Sequence, residues 1–133
     1  MNGFHDDIEQ RTTCNSDFRR VLYTGHNLQL VVMSLPPGCD IGAEVHEDRD
    51  QFFRIEEGSG QVDIDDNTYD VADGSGVVVP AGARHNVRNT GESPLKLYTL
   101  YGPPEHKDGI VQSTRDEAQA RHAHEEWDGN TTE

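Results

Sequence analysis

The sequence has few lysines, few cysteines and no excess of positive charge, and each scarcity excludes a class of protein. Its 133 residues include 25 acidic and 11 basic ones, of which two are lysines, and the net charge is −14. Nucleic acids and anionic membranes attract basic surfaces, so neither is expected as a partner. The first ten residues contain no apolar run that could form a signal peptide or a membrane span. We therefore expect a soluble, cytoplasmic protein.

The acidic excess also indicates the solvent to which the protein is adapted. Fourteen aspartates against two lysines give a surface that repels itself in dilute buffer. At molar salt the Debye length falls to about 3 Å and this repulsion is screened. The composition predicts a halophilic protein, and an ordinary acidic protein is the alternative.

Common catalytic and cofactor motifs are missing as well. The chain contains no nucleophile elbow, Walker loop, dinucleotide fingerprint or paired-cysteine zinc motif. Cys14 and Cys39 are its only cysteines, and we expect free thiols rather than a disulfide. The length suits a single domain without internal repeats.

Short β-rich segments occur at intervals of roughly ten residues and are joined by Gly, Asn and Asp turns. They cover residues 18–23, 28–35, 51–57, 61–64, 68–71, 77–79, 84–89 and 95–101. Alternation places Tyr69 and Val71 inward. The second segment is apolar on both faces, so we expect a terminal segment or a second subunit to cover its outer side. The pattern predicts a closed or two-sheet all-β architecture.

The two ends are expected to lie outside this β-domain. Residues 1–17 are polar and without periodicity, which indicates an N-terminal arm before a barrel at 18–102. Residues 103–133 begin with consecutive prolines, which cannot continue a sheet. There Thr114 and Glu117 form a capping-box pattern that predicts a short surface helix to about residue 127, followed by a loose tail.

The segment 74–89 is predicted to be a β-hairpin built around one histidine. Its three consecutive valines are typical of a buried strand, and a Pro-Ala-Gly turn follows them. In the next run His85 shares a face with Val87, while Arg84 and Arg88 lie on the opposite face. His85 is therefore expected to point into the interior.

The spacing of this segment resembles that of a known family. Gly74, Pro80, Gly82, His85 and Asn89 stand at the offsets of the second signature motif of the cupins. The upstream segment 38–58 is similar to the first cupin motif. The resemblance implies an RmlC-like fold, an all-β cupin double-stranded β-helix or jelly-roll barrel, here with a short C-terminal α-helix. It also implies a homodimer.

The first motif departs from the cupin pattern at two ligand positions. Glu44 stands where a histidine is usual, and Gln51 stands where a glutamate is usual. With these substitutions, the resemblance implies that Glu44, His46, Gln51 and His85 bind a metal. Two imidazoles and one carboxylate suit non-haem iron and leave positions open for substrate and oxygen. Iron or manganese is favoured, and nickel, zinc and copper also fit these atoms.

Each ligand has a simpler alternative role. His46 and His85 are alternatively core histidines with hydrogen-bond partners, and Gln51 is alternatively a hydrogen-bond partner behind the ligands. Glu44 inside a barrel would cost several kcal/mol without a cation or a donor, which favours the metal. His106, in the proline loop, is a candidate for the cavity mouth or an exposed loop residue.

The remaining polar residues limit the substrate. Tyr98 and Tyr101 are three residues apart in one strand, so their side chains point to opposite faces and only one of them can face the barrel interior. No arginine is expected to line the cavity, because Arg54, Arg84 and Arg88 point outward.

Three functions are consistent with these residues. The first is a mononuclear metal-dependent enzyme, of the oxygenase or isomerase/lyase type, that acts on a small polar organic substrate. The second is a non-catalytic cupin that binds a small molecule or sugar and has a structural metal. The third is a sugar-phosphate isomerase of the mannose-6-phosphate type, which is less favoured because a phosphate requires Arg or Lys in the cavity.

Overall fold

The computed structural model describes residues 1–133, and its strands lie in two antiparallel sheets. In chain order the elements are α1 (Ile8–Thr13), β1 (Arg19–Thr24), β2 (Gln29–Leu35), β3 (Glu44–Val45), β4 (Asp50–Glu57), β5 (Ser59–Ile64), β6 (Asn67–Ala72), β7 (Gly76–Val79), β8 (Arg84–Asn89), β9 (Leu95–Gly102), β10 (Val111–Gln112), α2 (Arg115–Arg121) and a 3₁₀ turn (His122–His124). The larger sheet has the strand order β10-β1-β2-β9-β4-β7, and the smaller sheet has the order β3-β8-β5-β6.

The hydrophobic core lies between the inner faces of the two sheets. In β4, Phe53 and Ile55 point inward and are fully buried, whereas Arg54 points outward. In the smaller sheet Val62 and Val87 stand opposite each other and are equally buried. Two packed antiparallel sheets with alternating inward residues form a jelly-roll barrel. The predicted all-β fold is confirmed.

Two of the motif glycines occupy turns that other residues enter only with strain. Gly58 has φ +92° and Gly82 has φ +89°. A Cβ on Gly58 would lie 2.7 Å from the carbonyl oxygen of Pro94. The Gly82 N–H donates to the carbonyl oxygen of His46 at 2.8 Å, which ties the hairpin turn to the end of β3. These turns explain why the motif places glycine there.

The N-terminal segment contains a helix that the sequence pattern did not predict. Asp7 caps α1, and the helix packs across part of the outer face of the larger sheet. On that face Val32 and Ser34 are buried, and the Lys96 ammonium donates to the carbonyl oxygen of Asn15. A terminal segment therefore covers this part of β2, which is one of the two predicted arrangements.

The C-terminal helix begins where it was predicted and ends earlier. Thr114 Oγ1 accepts a hydrogen bond of 3.1 Å from the Glu117 N–H. The α-helix stops at Arg121 and becomes a 3₁₀ turn instead of continuing to Trp127. Ala118 is buried against the barrel core, so one face of α2 is anchored.

Two side chains that were expected to be buried lie at the open edges of the barrel. Tyr69 stands opposite Val62 on the core side of β6, yet it is 49% exposed. Val78 points outward from β7 and is 64% exposed. Both strands are the last in their sheets, so no neighbouring strand covers them. The alternation of residues along a strand predicts the face to which a side chain points, but it does not show whether the strand lies at the edge of its sheet.

Two further sequence expectations concern the cysteines and the membrane. Cys14 and Cys39 are free thiols, as predicted. None of the helices has both the length and the apolar character required to span a bilayer.

Candidate metal centre

Three predicted ligand residues converge because β3 pairs with β8. This pairing places Glu44 directly opposite His85. His46 follows Glu44 by two residues and therefore projects to the same side. The hydrogen bond from Gly82 to the His46 carbonyl holds the end of β3 against the hairpin turn. The smaller sheet thus carries all three side chains.

The three side chains form one group of metal-ligating atoms. One ligand atom from each residue lies within 4.8 Å of the other two. His46 Nε2 is 3.0 Å from Glu44 Oε2, and the two imidazole centroids are 5.2 Å apart. Ligand atoms about 2 Å from one ion lie at most about 4 Å apart, so small side-chain rotations bring atoms at this spacing onto a single ion. Glu44, His46 and His85 could therefore hold a metal ion.

The imidazole Nε2 atoms of this group lack hydrogen-bond partners. His85 Nδ1 lies 3.2 Å from the carbonyl oxygen of Ala83, which favours the proton on Nδ1 and a lone pair on Nε2. His46 Nδ1 lies 3.4 Å from Glu105 Oε2. Both Nε2 atoms are buried, and the contact between His46 and Glu44 does not have hydrogen-bond geometry. Buried polar atoms without partners are rare, so this arrangement fits a bound cation.

Gln51 presents a fourth oxygen on the opposite sheet. Its side chain is buried on the inner face of β4, and Nε2 donates to Thr99 Oγ1 at 3.0 Å. This bond assigns the amide orientation and leaves Oε1 buried without a partner. A neutral oxygen donor is therefore available in the barrel interior.

Burial and neighbouring charges have opposite effects on the pKa values of the group. Burial raises the pKa of Glu44, but His46, Arg19 and His85 outweigh it and leave this pKa below its usual value. Burial lowers the pKa of His46, but Glu44 and Glu105 leave it above its usual value. Burial lowers the pKa of His85. Glu44 is therefore ionised and His85 is neutral near pH 7, the states in which each binds a cation.

Glu105 and Arg49 hold His46 from its far side, and sequence analysis identified neither. Arg49 Nη1 lies 2.7 Å from Glu105 Oε2, the same oxygen that faces His46 Nδ1. Glu105 belongs to the proline loop after β9, far from His46 in the chain. No local pattern connects the two residues, so only the fold brings them together.

His106 is buried beside the site instead of being exposed in its loop. Its Nε2 lies 3.2 Å from the Tyr101 hydroxyl, and burial lowers the pKa of His106 well below its usual value. Tyr101 is the tyrosine that faces the interior, with its ring centroid 6.0 Å from that of His46. Burial raises the pKa of Tyr101, so the hydroxyl stays protonated. His106 is therefore a buried partner of Tyr101.

The expectation that no arginine lines the cavity is wrong. Arg19 is only 7% exposed and stands opposite Met33, whose side chain is in the core. Together with Glu44 it lines an open cavity of about 450 Å³ between β1, the segment before β3 and α2. Arg19 is two residues from the inward-facing Val21, so alternation along β1 could have predicted that Arg19 also points inward. Arg84 is exposed, as predicted.

The fold and the site together define a class: a two-sheet β-barrel whose interior carries two histidines and a carboxylate that could hold a metal ion. Residues 31–101 match the family Cupin_2, described as a cupin domain. The chain belongs to the cupin family.

Similar proteins span much of the chain. The uncharacterized protein YrkC of Bacillus subtilis is 46% identical over 120 residues, which cover 86% of this chain and 64% of YrkC. The uncharacterized protein L612 of Acanthamoeba polyphaga mimivirus is 37% identical over 113 residues, or 82% of this chain and 71% of that protein. The crystal structure of BH2720 from Bacillus halodurans has a TM-score of 0.88 and 45% identity, covering 90% of this chain and 95% of that chain. The chain thus spans 64% of the length of YrkC.

Proposed function

We propose that this cupin binds one divalent transition metal through Glu44, His46 and His85, with Gln51 as a fourth, neutral ligand. The observation that carries the proposal is the convergence of one ligand atom each from Glu44, His46 and His85 within 4.8 Å, together with two buried Nε2 atoms that lack hydrogen-bond partners. Two imidazoles and one carboxylate are typical of mononuclear non-haem iron sites. Iron or manganese suits these nitrogen and oxygen donors, while nickel, zinc and copper would bind the same atoms.

In this proposal the centre belongs to an enzyme of the oxygenase or isomerase/lyase type that acts on a small polar organic molecule. The bound metal would supply Lewis-acid or redox chemistry. The Glu44 side chain is 34% exposed, so the centre can be reached from the cavity. The buried Tyr101 hydroxyl, which its raised pKa keeps protonated, is available as a proton donor on the inner face.

A non-catalytic cupin with a structural metal is the second candidate, because apart from the ligands themselves no strong general base stands out at the centre. A sugar-phosphate isomerase is the weaker third candidate. Arg19 supplies one cation to the cavity, whereas a phosphate dianion is usually held by several.

The substitution Glu44→Gln tests the metal site. Protein purified without added metal is expected to contain about one metal ion per chain, and the substitution should lower metal affinity by more than about tenfold. Elemental analysis measures both. Glu47→Gln, at an exposed position nearby, is the matched control and should retain the metal. Wild-type metal content in the Glu44→Gln variant would remove Glu44 from the ligand set.

Measurements of turnover distinguish the proposed enzyme from the alternative of a non-catalytic binding protein. Oxygen consumption and product formation would be measured with metal-loaded protein across small keto acids, hydroxy acids and diols. Turnover that is lost in Glu44→Gln and kept in Glu47→Gln supports the enzyme. A full metal complement without turnover on any class favours the binding protein.

A second copy of the chain is the proposed protein partner. The part of the outer face that α1 leaves uncovered carries Leu30, Leu100, Phe52 and Val78 side by side across four strands. None of these residues is charged, although the chain has a net charge of −14. Two copies can therefore approach through this row with the least repulsion, about a two-fold axis.

A further inference from the structure

Arg19 differs from every other arginine in the chain. Seven of the nine arginines form salt bridges with carboxylates, namely Arg11, Arg20, Arg49, Arg54, Arg88, Arg115 and Arg121. Arg84 has no such partner and is exposed to water. Arg19 is buried and has no carboxylate partner, in a protein with 25 acidic residues.

The contacts of Arg19 leave half of its guanidinium unused. Nη1 donates to Gln112 Oε1 at 2.8 Å, and the guanidinium carbon lies 5.2 Å from the centroid of the Phe18 ring. Nε is buried and has no hydrogen-bond partner. The fork formed by Nε and Nη2 is the side of the group that binds carboxylates through two parallel hydrogen bonds. Neutral contacts fix the side chain, and no carboxylate forms a salt bridge with it, although its charge helps to lower the pKa of Glu44.

The cavity beside Arg19 meets the metal group at Glu44. It is lined by Arg19 and Glu44 and is bounded on the other side by α2. Arg115 lines it too, but its guanidinium lies 3.3 Å from a carboxylate oxygen of Asp40. The cavity is therefore lined both by Arg19, which has no salt bridge, and by Glu44 of the metal group.

We infer that Arg19 anchors the carboxylate of a small organic acid, and that a second oxygen of this acid, a hydroxyl or a carbonyl, faces the metal centre. The part of this inference that concerns the metal rests on the proposed function, whereas the part that concerns the carboxylate rests on Arg19 alone. One guanidinium fork matches one carboxylate in charge and geometry. A phosphate dianion carries a second negative charge that a single guanidinium would leave unpaired. The substrate class is therefore a short hydroxy or keto acid.

The experiment is a binding measurement on the metal-loaded protein by isothermal titration calorimetry. The carboxylate probes are acetate, pyruvate and lactate. Lactamide, which has the shape of lactate without its charge, and inorganic phosphate are the contrasting probes. The variant is Arg19→Met, which keeps much of the side-chain volume. The matched control is Arg20→Met, because Arg20 is the next residue, points outward and pairs with Asp17.

The expected result has two parts. Arg19→Met should weaken pyruvate or lactate binding by roughly tenfold to a hundredfold, since a charge-assisted pair of hydrogen bonds is lost. The acid-free variant should unfold at the same temperature as wild type or higher, because an uncompensated buried charge has been replaced by an apolar side chain. Arg20→Met should leave the affinity for the acid unchanged.

Four outcomes would overturn the inference. In the first, the wild type binds none of the three carboxylates, and in the second, lactamide or phosphate binds as tightly as lactate does. In the third, both variants lose the same affinity for the acid. In the fourth, the Arg19→Met variant binds the acid normally but unfolds at a lower temperature. The last outcome would show that Arg19 only supports Gln112 and β10. Metal content measured on the same samples keeps the two proposals apart, because acetate binding tests Arg19 even in a chain that binds no metal.

Discussion

Gln51 is the residue whose role depends most on one hydrogen bond. The bond to Thr99 uses its amide nitrogen and leaves the buried Oε1 free. Replacing the amide by a carboxylate would add a negative charge to the interior that already contains Glu44. In the proposed centre, Gln51 therefore affects the net charge as well as the number of donors.

The substitution Gln51→Glu should make the fold depend on metal. Without metal, the free energy of unfolding is expected to fall by about 1–3 kcal/mol, because a second carboxylate is buried without a counter-ion. Added Mn²⁺ should restore more stability to the variant than to the wild type. Urea unfolding with and without MnCl₂ measures both effects. Gln10→Glu on the exposed face of α1 is the control, and a metal-independent loss in Gln51→Glu would contradict direct ligation.

The site residues that the sequence predicted share a local pattern, and those it missed do not. His46 lies two residues from Glu44, and the turn at Gly82 fixes the place of His85. Glu105 acts on a residue that is distant in the chain, so no spacing indicates it. Alternation along β1 indicates that Arg19 points inward, but no motif connects Arg19 with the metal group. Sequence alone therefore identified the candidate metal group and missed the charges around it.

The turn between β4 and β5 contains a glycine that is constrained both by its backbone angle and by a neighbouring carbonyl. Gly58 combines a positive φ with a close approach to the Pro94 carbonyl, whereas Gly74 has φ +89° and no atom within 4 Å of its ideal Cβ. A comparison of substitutions at these two glycines therefore distinguishes the cost of backbone strain from the cost of steric overlap.

The substitution Gly58→Ala is expected to lower the free energy of unfolding by more than about 2 kcal/mol. Gly74→Ala should cost about 1 kcal/mol, because it adds only the strain of a positive φ. Urea unfolding of both variants measures the difference. Equal losses would mean that the backbone near Pro94 moves aside at little cost.

Most elements could be predicted because alternation and turn residues mark each strand of the barrel. The elements that were missed are short: α1 has six residues, and β3 and β10 have two each. Segments of that length are too short to show a period, and their structure depends on what they pack against.

At the scale of the whole molecule, the charge predicts a response to salt. The midpoint of thermal unfolding should rise as KCl increases from about 0.1 M to about 2 M, because repulsion among the 25 acidic side chains is screened. Sucrose of matching osmolality controls for preferential exclusion of solute. A midpoint that does not depend on KCl would indicate an ordinary acidic protein.

The proposed dimer predicts a change of mass in solution. Leu100→Lys, in the middle of the uncharged outer row, should convert a dimer into a monomer of 14.8 kDa in analytical ultracentrifugation. Leu28→Lys is the control, because Leu28 is an exposed residue in the β1–β2 turn. A monomeric wild type would exclude the proposed dimer. A dimer that persists in Leu100→Lys would show that the chain self-associates through another surface.

The two sheets divide the site between them. Glu44 and His85 belong to the smaller sheet and His46 directly follows its strand β3, whereas Arg19 extends from the larger sheet. Stacked sheets are held about 10 Å apart by the side chains between them. If the proposed acid spans Arg19 and the metal group, the packing of the two sheets sets the distance that it must bridge, and core residues that never touch the acid select its number of carbons. Enlarging or trimming Met33, the core residue paired with Arg19 on the neighbouring strand, is then expected to shift the preferred chain length of the acid without removing a polar contact.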